Sequence, residues 1–289
     1  MTDKIVTNKI AFQGVAGAYS HMACQAHRPD LEPLPCASFT DMIACVQDGM
    51  ADCAMVPVEN STAGRVADIH HLLPDSGLFI ISEHYQPVAH KLLGINGATL
   101  SDITEVHSHE QGLAQCRVTL HKMGIKPVIH ADTAGAAKDV AARGDLHVGA
   151  IASGLAGELY GLETLRDTIT DKDTNTTRFL VMSCENHVPA NFQEPAITTI
   201  VFEVRSVPAV LYKALGGFAT NGINLTKVES YMLDGSMNAA RFYVDCEGHP
   251  KTPSMKLALE ELQFYCTDGG VRILGTYPSN RRTQSDSFS

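Results

Sequence analysis

Over residues 9–152, short apolar runs alternate with stretches whose apolar residues recur at helical spacing, which predicts parallel sheets covered by helices. Strands are expected at 9–12, 34–38 and 53–57, and helices at 20–27 and 39–47, the latter with Ile43 and Val46 inward and Gly49 closing it. Between 78 and 93 no helical period appears; two extended runs are read there, interrupted at 84–87. Alternation resumes with strands at 105–107, 127–130 and 148–152 and helices at 109–123 and 134–143. No element is read from 153 until a strand at 177–182. The break near 80–93 divides the pattern into two α/β lobes, with 165–183 returning to the first. A ligand crevice then falls between the lobes, at strand carboxyl ends and helix N-termini.

Residues 185–196 carry two prolines and no period, so a linker is expected there. The pattern then resets: strand 197–204, then helix 208–220 with Leu211, Leu215 and Phe218 on one stripe and Pro208 near its start. Strands at 223–233 and 237–246 flank Asp234-Gly235-Ser236, a hairpin signal. Helix 254–266 turns Met255, Leu259, Leu262 and Cys266 inward, and 271–277 is a last strand. This βαββαβ order is the ferredoxin-like split-βαβ module. The expected organisation is a two-lobed domain over 1–184, a linker over 185–196, a second domain over 197–278 and a disordered polar tail over 279–289.

The 289 residues suffice for two domains with proper cores. A formal net charge of −10 argues against nucleic acid as a partner, which needs a basic face. An anionic substrate would therefore require positive charge focused at one place. Eight cysteines lie scattered without Cys-x-x-Cys pairs, mostly on apolar positions, which points to a reduced, cytoplasmic protein. The first eight residues lack an apolar signal core, and no apolar run approaches membrane-spanning length, so no membrane partner is expected.

Four polar clusters sit where a strand hands over to a helix, and a fifth precedes the strand at 177–182. In Gly14-Val15-Ala16-Gly17-Ala18-Tyr19-Ser20 the glycines permit backbone approach to an anion at a helix N-terminus. The alternative is a tight turn with Ser20 as cap, and the spacing is not a dinucleotide fingerprint. The run 56–66 offers Asn60, Ser61, Gly64 and Arg65; it can orient a ligand, or Asn60-Ser61 can cap a helix. Ser108 and Gln111 match a capping box, yet Ser108, Gln111 and Gln115 also share a helical face suited to a polar ligand. His107 and His109 invite a metal reading, as do His70-His71 more weakly, but no further ligands converge, and no metal is expected. Asp132-Thr133-Ala134-Gly135 starts another helix, with Thr133 as cap and small residues that allow close approach. Thr177-Arg178-Phe179 places a hydroxyl and a guanidinium at the rigid start of a strand.

Together these segments resemble the prephenate dehydratase family. The resemblance rests on 12–20, on Val56–Ser61 with Gly64, on 108–116 and on Thr177-Arg178-Phe179, in that order; the C-terminal module resembles an ACT domain. It implies a periplasmic-binding-protein-like two-lobed catalytic domain and conversion of prephenate to phenylpyruvate, water and CO2 in L-phenylalanine biosynthesis, without cofactor. It also implies feedback by L-phenylalanine and a homodimer or homotetramer. By resemblance Thr177, Asn60, Ser108 and Gln115 are catalytic, with Thr177 the essential residue, and Ser61, Arg178, Phe179 and Ser20 bind substrate. An amino-acid pocket is implied at Val207, Pro208, Ala209, Val210, Leu211, Asn224, Leu225, Glu229 and Ser230. There the family usually carries Gly-Ala-Leu and Glu-Ser-Arg-Pro, whereas this chain has Val207-Pro208-Ala209-Val210-Leu211 and Glu229-Ser230-Tyr231-Met232. Rival readings are arogenate dehydratase, acting on the aminated substrate, and a non-catalytic sensor of small anions or amino acids.

Overall fold

A computed structural model describes residues 7–280 except 173, 192–193, 206 and 233–239, and leaves aside the side chains of 70, 232 and 240. The hairpin signal at 234–236 and most of the expected disordered tail, 281–289, lie outside the described residues. The first lobe contains β1 (Lys9–Gln13), α1 (Tyr19–His27), β2 (Glu32–Cys36), α2 (Phe39–Gln47), β3 (Cys53–Asn60), β4 (Gly64–Arg65), α3 (Ala67–Leu72) and β5 (Phe79–Pro87). The second contains β6 (Lys91–Ile95), β7 (Glu105–His109), α4 (Glu110–Gln115), α5 (Arg117–Met123), β8 (Lys126–His130), α6 (Thr133–Arg143), β9 (Val148–Ala152), α7 (Gly154–Tyr160) and β10 (Leu162–Arg166). Strand β11 (Thr176–Ser183) then takes its place between β3 and β5 in the sheet order β2-β1-β3-β11-β5. That return is the double crossover expected of a two-lobed α/β domain.

In the second sheet, ordered β10-β6-β9-β7-β8, the strands β9, β7 and β8 are mutually parallel, β6 runs against them, and β10, antiparallel to β6, runs in their direction. β9 is buried along its whole length because both faces are covered. Ile151 packs with Leu92, Val106 and Leu120 on one side, and Ala150 and Ala152 with Ala134, Ala137 and Val140 on the other. The small residues of α6 thus bring that helix close to the sheet, which is the packing role of the 132–137 cluster.

Several expectations need correction. β5 is continuous through 84–87, and the interruption falls at 88–90 instead. As the last strand in its sheet order, β5 tolerates polar residues such as His84 and Gln86, whose side chains bond at 3.2 Å, and these broke the apolar pattern. The helix expected over 109–123 is two helices, since Cys116 leaves helical geometry at φ −113, ψ 5. The Asp171 carboxylate accepts from the Val118 and Thr119 N–H groups and from the Thr119 hydroxyl, so it caps α5 from 52 residues away. α1 begins at Tyr19, so Ser20 is not its cap; α6 is capped by Asp132, not Thr133, and α8 starts at Val210 because Ala209 holds φ +58. Elements α7 and β10 occupy a stretch where none was read.

The C-terminal elements are β12 (Ala196–Val204), α8 (Val210–Thr220), β13 (Leu225–Met232), β14 (Ala240–Glu247), α9 (Pro253–Tyr265) and β15 (Cys266–Pro278). Their sheet, β13-β14-β12-β15, is antiparallel throughout and has the strand order of the expected ferredoxin-like module. Its core joins Ile200, Phe202 and Val244 of the sheet to Ala214 and Phe218 of α8 and to Met255, Ala258 and Leu262 of α9. The chain divides into two compact units, Met1–Ile69 with His84–Phe179, and His70–Glu83 with Leu180–Ser289. Within the second, Arg241 bridges Asp75 and Glu203 at 2.8 and 2.9 Å, and a side chain at Gly275 would collide with the Ile80 backbone. Among the described residues no helix is long and apolar enough to cross a membrane.

Candidate active site

Residues 20, 60, 61, 108, 115 and 177–179 all belong to the first compact unit. Asn60 ends β3, and the chain turns sharply after it. Its Oδ1 accepts the N–H groups of Thr62 at 3.0 Å and Ala63 at 2.9 Å, which fixes the turn that β4 closes by pairing Arg65 with Glu59. A helix cap at Asn60-Ser61 is therefore not what this segment forms. Ser61 is exposed and ties the turn to the segment leading into β11: its N–H reaches Thr176 O at 2.9 Å, and its hydroxyl accepts from Thr176 N at 3.0 Å.

The two backbone donors settle which Asn60 atom is which, since an N–H group bonds only to the amide oxygen. The Nδ2 group must then be the donor to Thr177 Oγ1 at 2.9 Å and to Asn175 Oδ1 at 2.7 Å. Asn175 Nδ2 passes the pattern on to Gln115 Oε1 at 2.7 Å, and Gln115 also hydrogen-bonds His90. Beyond it the Tyr19 hydroxyl lies 3.0 Å from His90 Nδ1. A chain of side chains thus runs from Thr177 across both lobes to the glycine-rich loop. Because Thr177 Oγ1 accepts from Asn60, its own proton is directed elsewhere, into the half-buried space where Thr177 stands.

Burial drives the electrostatics of the far end. His90 is pushed down to about 4, chiefly by burial, with the Gln115 bond opposing; its imidazole is neutral near pH 7. The Tyr19 phenol is raised well above its ordinary value by burial and then by Cys116, so it stays protonated. These neutral groups add no charge to the site. The cationic candidate is Arg178, which is 3 % exposed on the face of β11 opposite Thr177. Phe179, on the same face of β11 as Thr177, is fully buried.

Two expected site residues stand apart from the Thr177 chain. Ser108 belongs to β7, not to the helix, and its hydroxyl donates to Ile151 O at 2.6 Å. The cap of α4 is His109, whose Nδ1 accepts from Gln111 N, and Gln111 itself is exposed, so the capping-box reading fails. Ser20 is buried in the first turn of α1. His107 bonds Glu105 at 3.1 Å while His109 serves as cap, so the two histidines do not converge. The loop at 14–18 is clamped by the second lobe: Ser153 donates to Gly17 O at 2.6 Å and Tyr160 to Ala16 O at 2.7 Å.

Sequence reasoning missed Asn175, His90 and Tyr19. Asn175 lies two residues before Thr177, so both occupy one face of the extended chain; that spacing was the available signal. His90 sits in an apolar segment between strands, and no local pattern distinguishes it.

A family model described as prephenate dehydratase matches residues 10–187. The chain is 49% identical over 274 residues to a bifunctional N-acyl-homoserine lactone acylase/prephenate dehydratase of Komagataeibacter europaeus, covering 94% of this chain and 96% of that one. It is 39% identical to arogenate dehydratase/prephenate dehydratase 1 of Arabidopsis thaliana, over 93% of this chain and 72% of that one. Among solved structures, the prephenate dehydratase of Arthrobacter aurescens in complex with L-Phe superposes with TM-score 0.84 at 28% identity, covering 94% and 90% of the two chains. The family model spans the residues of both lobes, including every member of the Thr177 chain, and the chain belongs to the prephenate dehydratase family.

Proposed function

We propose that this protein is a prephenate dehydratase in which Thr177 supplies the hydrogen bond, or the proton, to the departing ring hydroxyl. One observation carries the assignment of Thr177: its oxygen accepts from Asn60 at 2.9 Å, which leaves its O–H proton for a ligand. In the reaction the ring C–O bond breaks as the ring carboxylate is lost as CO2, and the released electron pair aromatises the ring. The departing oxygen takes a proton and leaves as water. Aromatisation supplies the driving force, so the protein has only to help the hydroxyl depart and hold the anion. General acid help is typically worth about 10²–10⁴-fold. A threonine is a weak acid, so dipoles fixed in advance toward the developing charge carry a large share.

Asn60 and Gln115 orient the site, and Ser61 holds the turn that carries Asn60. Ser108 and Ser20, which stand apart from the Thr177 chain, are assigned packing roles around it. The burial of Arg178, opposite Thr177 on the strand, favours holding β11 over gripping a substrate carboxylate; Phe179 packs behind. The acylase in the name of the Komagataeibacter relative calls for an activated nucleophile. Ser108, which gives its proton to a backbone carbonyl, does not provide one.

We further propose that 1–184 is the catalytic domain and 197–278 an ACT domain that binds L-phenylalanine at 207–211, 224–225 and 229–230, in a cytoplasmic homodimer or homotetramer. The L-Phe complex of the Arthrobacter relative supports that ligand. The test of the catalytic reading is purified protein mixed with prephenate, followed by the phenylpyruvate enolate absorbance. Growth of that signal is expected. Turnover of arogenate in preference would favour the aminated substrate, and binding of prephenate without turnover would favour the sensor.

A further inference from the structure

Asn175 joins three parts of the site. It is 6 % exposed, and its carbonyl accepts the Val88 N–H at 2.9 Å, which anchors its backbone to the segment between β5 and β6. Its Oδ1 accepts a hydrogen bond from Asn60 of the first lobe, and its Nδ2 donates one to Gln115 of the second. Asn60 Nδ2 has two protons, one for Asn175 and one for Thr177. With Oδ1 held by Thr62 and Ala63, the bond to Asn175 fixes the tilt of the Nδ2 end, and that tilt decides where the second proton points.

The geometry points to Asn175 as a positioning residue: it holds Asn60 as a donor to Thr177, and so keeps the Thr177 proton turned toward the substrate. This rests on the reading of Thr177 as the donor to the leaving oxygen. Asn175 touches no reacting atom itself. With the pattern Gln115 ← Asn175 ← Asn60 → Thr177 each amide has one orientation, and an apolar residue at 175 would leave one Asn60 Nδ2 proton without its acceptor and let the amide tilt away from Thr177.

The test compares Asn175→Ala and Asn175→Asp, each alone and combined with Asn60→Ala, by kcat, KM and Tm. Displacing a catalytic group by a fraction of its reach costs on the order of tenfold to a hundredfold, and that loss is expected in kcat for the alanine variant, with KM little changed. Aspartate retains the acceptor for Asn60 and should restore part of the rate. In the Asn60→Ala background, removing the 175 side chain should cost nothing more, because the two act as one unit. Unchanged kcat in both variants would overturn the inference. So would an equal loss with and without Asn60, which would make Asn175 act independently, or a fall in activity that only follows Tm. If the alanine variant fails to fold, the aspartate variant and its double mutant decide alone. The two readings separate cleanly: a Thr177→Val protein that keeps its turnover sinks the assignment of Thr177, whereas an inactive one beside an unimpaired Asn175→Ala sinks only the role of Asn175.

Discussion

Replacing Asn60 by aspartate changes one heavy-atom group and removes both Nδ2 donors, reversing the bond to Thr177 and losing the one to the Asn175 oxygen. The carboxylate still accepts from Thr62 and Ala63, so the turn survives, but it has no proton for Thr177. The threonine proton then turns toward the carboxylate. The expected result is a loss of roughly 10²–10³ in kcat, the cost typical of removing one oriented donor, with Tm close to wild type. His90 offers a second residue-level check. Its folded value near 4 lies below the ordinary 6.5, so the unfolded chain binds its proton first as pH falls. Its contribution is complete above about 6.5, falls between about 6.5 and 4 at up to about 1.4 kcal/mol per pH unit, and is gone below the folded value. A His90→Gln variant should show a flatter Tm profile across that window; an identical profile would contradict the buried neutral imidazole. At this scale the sequence exposed the residues that lie in motifs and hid those defined by partners: Asn60, Thr177 and Gln115 were legible, while Asn175 looked like one more polar loop residue.

Elements depend on close approach as much as on periodicity. Gly17 holds φ +88, and a Cβ added there would sit 2.8 Å from Ala156 Cα in α7. Left-handed strain and overpacking together should make Gly17→Ala about 2–4 kcal/mol less stable, with the loop pushed off the second lobe. Urea unfolding measures this directly; a neutral change would mean that the loop and α7 do not meet so closely. The same contact explains what was legible at 14–20. Glycines announced a tight approach, but whether a ligand or a helix approached depended on α7, an element the pattern did not reveal. Short helices such as α7, with Gly157 buried against the sheet, carry too few apolar repeats to be read. Long runs such as β9 and α2 were read to within a residue because burial on both faces, or a clean stripe, leaves little choice.

Across the whole molecule, βα alternation followed by a reset to βαββαβ sufficed to predict the two lobes and the C-terminal module, since each pattern admits few topologies. What periodicity could not supply was the convergence of 60, 115, 175 and 177, which depends on β11 returning between β3 and β5. The regulatory pocket is testable by calorimetry with L-phenylalanine. Tyr231, where the family usually has arginine, is buried with its ring 5.8 Å from that of His71, and Ala209 takes a left-handed backbone where glycine is usual nearby. Heat at millimolar ligand, abolished by Glu229→Ala, is expected; no heat would restrict the C-terminal module to assembly.

The reaction as described depends on a single hydroxyl proton held free by an amide. Steady-state turnover of prephenate by Thr177→Val, beside wild type and Thr177→Ser, tests this most directly, because valine keeps the shape and discards the proton. A fall of about 10²–10⁴-fold in kcat with an unchanged Tm, and partial activity in the serine variant, is the result expected. Undiminished kcat in the folded valine variant would contradict the account.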